Sequence, residues 1–130
     1  MAVTHSATMR NVLATAVLTA IDAGGAASKV VFRLSGSVGS PGTAVATLTA
    51  SDPAGTVTGA VLTYSAITSD TNATGNASPV AAATLQTSAD TVVVHCAVAA
   101  SASDINMSGG LTVGAGDTVS CSSLTYTAPV

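Results

Sequence analysis

Apolar residues recur along the start of the chain with the spacing of a helix. Met9, Val12, Leu13, Ala16, Val17, Ala20 and Ile21 step by threes and fours between Ser6 and Ala23, which places them on one face and predicts an amphipathic, core-facing helix. Thr4 or Ser6 can cap its start by accepting an orphan N–H of the first turn. Gly24 and Gly25 supply the left-handed residue that commonly ends a helix.

From Lys29 onward the period changes to two. In "KVVFRL" Val30, Phe32 and Leu34 alternate with Val31 and Arg33, the pattern of a half-buried strand. "GSVGSPG" interrupts, "TAVATLTA" resumes, and "SDPAG" at Ser51 to Gly55 reads as a turn in which Pro presets φ and Gly permits positive φ. "VTGAVLTYSAI" makes a third strand region ending at Ile67, and the polar "TSDTNATGNASP" is an exposed loop. "VAAATLQ" and "TVVVHCAVA" follow, then the short run Ile105 to Met107, and "TVSCSSLTYT" is a last long strand. Strands at spacings of about 8 to 12 residues predict a mainly β fold. The fold class expected is a jelly roll or β-sandwich of some seven or eight short antiparallel strands with one N-terminal α-helix beside it or extending away. Residues 1–26 form the arm and helix and residues 27–130 the β-sandwich, within a single domain overall.

The stretch "GAGD" before the last strand has the look of a phosphate loop. Such a loop leads into a helix whose N-terminus meets the anion, whereas here Val119, Cys121, Ser123 and Thr125 alternate with Ser120, Ser122, Leu124 and Tyr126. Gly114 and Gly116 are therefore expected to supply positive φ at a hairpin turn, with Asp117 bonding the local backbone.

Composition alters the picture of the surface. Of the 130 residues, 48% are hydrophobic, but only 2% are aromatic and 7% charged, and Glu is absent. Thr, Ser and Ala stand where Lys and Glu usually do. So few charges give weak repulsion between like surfaces, which implies an exterior that faces other protein. With a net charge of −3 and no basic run, the footprint for nucleic-acid binding is missing. The most apolar stretch, "NVLATAVLTAIDAGGAA", is broken by Thr, Asn and Asp and does not read as a membrane span. Its helical period also argues against a secretory signal built from Arg10, residues 12–21 and "AGGAA", since a signal core is apolar all round. In a reducing compartment Cys96 and Cys121 are expected to be free thiols.

No catalytic constellation stands out. His5 and His95 lack companion ligands for a metal, and His95 and Cys96 point to opposite faces as neighbours in a strand. Asp52, Asp70, Asp90, Asp104 and Asp117 fall in turns or at strand edges, where Asp accepts backbone hydrogen bonds. The nucleophile elbow Gly-x-Ser-x-Gly does not occur, and the sequons at Asn72 and Asn106 are common in a Thr- and Ser-rich chain. Catalytic residues, cofactors and metal ligands are all expected to be none, and the chain is not expected to be an enzyme. A carbohydrate-binding module is disfavoured because Phe32, Tyr64 and Tyr126 are the only aromatic residues.

The stretches "MRNVLATAVLTAIDAGGAASKVVFRL", "SDPAG…AITSDTNATG" and "INMSGGLTVGAGDTVSCSSLTYTA" resemble small virion structural proteins of tailed bacteriophages, of the head decoration or cement type. The resemblance implies a jelly-roll-like β-domain on the outside of the capsid, made in the host bacterial cytoplasm and bridging subunits of the major capsid protein. It also implies a homo-oligomer, dimer or trimer, on the capsid lattice; neither nucleic acid nor membrane is expected as a partner, on the charge and hydropathy given above. Terminal residues order readily against a partner, so Val3, Thr4, His5, Pro129 and Val130 are the candidate capsid or oligomer interface. A tail, neck or fibre-associated β-sandwich would share the composition.

Overall fold

Strand β1 (Lys29–Arg33) sits at the centre of a six-stranded sheet because both its faces are covered. The computed structural model describes residues 2–130; Met1, the first residue of the expected arm, lies outside them. Antiparallel pairing sets β1 between β2 (Ala44–Ala50) and β6 (Ala82–Gln86). Beyond β2 lies β5 (Ile67–Thr68), and beyond β6 lie β7 (Val92–Ala99) and β8 (Ile105–Asn106). A second sheet of three strands is built from β3 (Gly55–Thr58), β4 (Val61–Tyr64) and β9 (Thr125–Thr127). The fold is mainly β, sandwich-like and jelly-roll-like, with one N-terminal helix. All pairs are antiparallel except β7 with β8, which run parallel.

Register explains the core. Val30 lies between Leu48 and Leu85, and Phe32 between Ala46 and Ala83, so one face of the large sheet is continuously apolar. Leu62 and Tyr64 from β4, Leu124 and Ile21 close over it in one buried cluster. Each fully buried Leu here contributes about 1.5–3 kcal/mol relative to an exposed one.

Helix α1 (Ala7–Ile21) starts at Ser6, whose hydroxyl accepts the Met9 N–H at 3.2 Å, and passes through a 3-10 turn at Asp22–Gly24 to Gly25 at φ 73°. Its inward face differs from the expected one. Leu13, Ala14, Val17, Leu18 and Ile21 pack inward, whereas Met9, Val12 and Ala16 face solvent. Apolar residues cover a wide arc of the helix, leaving Thr8, Asn11, Thr15 and Thr19 together on the rest, so spacing alone did not fix which part of the arc is buried; it is the part that carries both leucines.

Two strand regions also differ from their expected form. "VTGAVLTYSAI" folds into the β3–β4 hairpin, turned by Gly59 and Ala60 at φ 57° and 74°, a geometry whose twist suits a tight hairpin. Ala60 holds this left-handed conformation while packed against Ala14 and Ala128, and its carbonyl accepts the Ala128 N–H at 3.0 Å. Gly55 is needed for close approach and not for positive φ, because a Cβ there would run into the Thr63 carbonyl. In "TVSCSSLTYT" only Thr125–Thr127 is strand; upstream, Val119 makes a single bridge to Asp70.

A candidate interaction surface

The cations of this molecule are tied to partners within it. The Arg10 guanidinium donates to the Ala128 carbonyl. Arg33 donates to Thr84 Oγ1 at 3.1 Å, Gln86 Oε1 at 3.0 Å and the Gly42 carbonyl at 2.6 Å. Lys29 pairs with Asp90 Oδ1 at 2.8 Å, which also accepts from Gln86 Nε2. All three cations of the chain therefore have partners within it. The Lys29 ammonium is the main cause that holds the Asp90 carboxyl below its ordinary range.

The carboxylates act as backbone clamps. Asp117 accepts the Gly114 N–H at 2.7 Å and Asp70 accepts that of Asn72 at 3.0 Å, the local bonds that turn chemistry predicts. Others reach across segments: Asp70 also holds the Thr47 N–H, Asp104 that of Ala97, and Asp22 that of Ala54. Burial raises the Asp22 carboxyl above its usual value and nearby Asp52 adds to this, while the Ala54 bond opposes it. "GAGD" is a turn, closed by the Asp117 N–H on the Gly114 carbonyl, but it docks on the loop at Ala73 to Asn76 and does not join two strands. Only Gly116 has positive φ there, at 85°.

The thiols are unbonded and half-buried. Burial, then the charge of Asp104, pushes the Cys96 thiol up to about 11, and burial raises Cys121 as well. Cys96 faces the core opposite Ala83, and its neighbour His95 pairs with Thr84 on the other face. His95 Nε2, His5 Nδ1 and the hydroxyls of Ser28 and Tyr64 are shielded without a hydrogen-bond partner among the described residues. Among these residues, no three of His, Cys and Asp gather in a group able to hold a metal.

The terminal residues occupy related positions. Val3, Thr4, Pro129 and Val130 are exposed and His5 half-buried. Because Arg10 in the first turn of α1 holds Ala128, the C-terminal tail leaves the body beside the start of the helix. From there the outward face of α1 presents a shallow apolar strip of Val12, Ala16, Ala20 and Ala23, edged by Thr15 and Thr19. The strip carries no charge, since Arg10 and Asp22 are both turned to the body. Among the described residues, no helix is long and apolar enough to cross a membrane.

No family model, curated protein or solved structure matches the chain. The sequence pattern missed the strip because it assigned Val12, Ala16 and Ala20 to the core; the larger Leu13 and Leu18 on the other side are the signal that separates the two faces.

Proposed function

We propose that the chain is a non-enzymatic virion structural protein of the decoration or cement type, binding the outside of a phage head and bridging subunits of the major capsid protein. The observation that supports this most is the uncharged outer face of α1, from Val12 to Ala23. Covering small neutral side chains with protein strands no charge away from water, and so avoids the desolvation cost that a surface rich in Lys and Glu would carry. Repetition over a closed lattice adds avidity, so that each contact can be small.

The test is co-sedimentation of the purified chain with expanded empty heads that lack it, with copy number read by quantitative mass spectrometry. Saturable binding in a fixed ratio to the major capsid protein is expected for a protein that repeats with a closed lattice. Failure to bind heads together with binding to tails would contradict the reading in favour of a tail or neck protein.

A further inference from the structure

Strand β9 ends the three-stranded sheet and has a neighbour on one side only, β4. The ladder between them runs from Leu124, whose carbonyl accepts the Tyr64 N–H at 3.0 Å, to Ala128, whose N–H donates to the Ala60 carbonyl at 3.0 Å. In an antiparallel pair the bonding positions alternate. With Tyr126 opposite Leu62, Leu124, Tyr126 and Ala128 therefore bond towards β4, and Thr125 and Thr127 turn their N–H and C=O groups to the open side. Both threonines are exposed, and neither bonds a described residue on that side. An open edge of this kind is a template for another strand.

The other edges are guarded by cover or charge, the usual protections. Helix α1 packs beside β3, Asp104 directly precedes β8, and Asp70 closely follows β5. The β9 edge has no such guard, since the chain carries no charged residue after Asp117. The edge is also self-complementary. In an antiparallel pair of copies centred on Tyr126, Thr125 of each lies opposite Thr127 of the other, and each such pair can exchange both N–H···O bonds. The outer row Thr56, Thr63, Thr125 then runs on through Thr127, Val61 and Thr58 of the second copy, all neutral and mostly β-branched neighbours suited to cross-strand packing. Only this register uses every open group: a shift one way sets Thr125 against Pro129, which has no N–H, and a shift the other way sets Thr127 against Ser123, whose carbonyl already accepts the Cys121 thiol.

We propose that two copies of the chain pair edge to edge through β9, antiparallel and centred on Tyr126, so that their three-stranded sheets join into one continuous sheet. The same patch serves on both copies, and the contact therefore closes at a twofold dimer and builds no chain. It uses a strand edge and not the outer face of α1, and it needs no capsid, so its failure is distinct from failure of the head-binding role.

Sedimentation velocity over a concentration series reads the association, and the melting temperature checks that each variant is folded. Thr127→Pro removes an outward N–H that β4 does not use, a position where an edge strand tolerates Pro; it should weaken dimerisation at least about tenfold, since one bond is lost from each of the two symmetric pairs. Two double variants at the same exposed sites test the register. Thr125→Asp with Thr127→Lys sets opposite charges across both pairs and should dimerise at least as well as the wild-type chain, whereas Thr125→Lys with Thr127→Lys sets like charges there and should stay monomeric. Three results would overturn the proposal: a wild-type chain that is monomeric up to its solubility limit, equal association of the two double variants, or undiminished dimerisation of a folded Thr127→Pro chain.

Discussion

Arg10 turns its guanidinium from the first turn of α1 onto the backbone carbonyl of Ala128, with Nε at 3.3 Å and Nη2 at 3.1 Å. A cation at a helix N-terminus opposes the macrodipole, as does the Asp22 carboxylate at the other end. Both residues are placed for tertiary contact: Arg10 holds the C-terminal tail, and Asp22 holds the Ala54 N–H that precedes β3. The consequence is an outer helix face with no charge.

Replacing Arg10 by Met keeps most of the apolar stem and removes the two bonds to Ala128. The loss should lower stability by about 1–2 kcal/mol, the range for a hydrogen bond to a charged group after relief of the opposed dipole. Urea denaturation measures it, and a more stable variant would mean that the dipole outweighs the contact.

Asp22 has a definite pH signature. Burial raises its folded carboxyl above the ordinary 3.8, so between those two values the folded state binds more protons than the unfolded state. Stability from this group is fully present below the unfolded value and is lost as pH rises through the folded one. The stability of Asp22→Asn relative to the wild-type protein should therefore increase with pH across that window and then level off, as read by urea midpoints at a series of pH values. Asp90, with its carboxyl lowered chiefly by the Lys29 bond, runs the other way: its contribution is present above the unfolded value and is lost as pH falls through the folded one.

On the sheet face away from the core, Thr84 is fully buried and its hydroxyl donates to Gln86 Oε1 at 2.8 Å while accepting from Arg33. Thr84→Val keeps the shape but leaves the guanidinium and the amide one partner short. A cost of about 1–3 kcal/mol is expected, the penalty for buried polar groups left unsatisfied, and the thermal midpoint should fall accordingly.

Gly75 and Gly25 have nearly the same positive φ, 70° and 73°, but different surroundings. A Cβ on Gly75 would run into the backbone of Gly114 and Ala115, whereas one on Gly25 meets nothing. Both Ala variants carry a backbone strain of about 1 kcal/mol; only Gly75→Ala must also displace the "GAGD" turn. Calorimetry should place Gly75→Ala clearly below Gly25→Ala in stability.

Much of this architecture can be read from local chemistry. The Ser6 cap, the Gly25 stop and the strand from Lys29 to Arg33 each have a cause within a few residues, and each appears in the structure, but the strand is not half-buried as its alternation suggested: Val31 is covered as fully as Val30 and Phe32. Long-range partners have no such local signature. Ser120 to Ser123 alternate like a strand but have no neighbour to pair with, and the parallel β7–β8 pair depends on where the chain returns. The outer strip of α1 was hidden for a related reason: small apolar residues on two sides of one helix look alike until the sheet covers one. The Arg10 bond that sets the Ala128 segment beside the start of the helix spans the sequence and has no local mark.

The central claim is that the neutral outer face of α1 is a contact surface, and head binding by a charged variant tests it most directly. Val12 and Ala16 are exposed, so Val12→Lys with Ala16→Lys should change folding stability by no more than about 0.5 kcal/mol per site. Co-sedimentation with expanded empty heads should then fall at least about tenfold relative to the wild-type chain, since each new cation would be stripped of water on contact. Undiminished binding of the folded double variant would contradict the account.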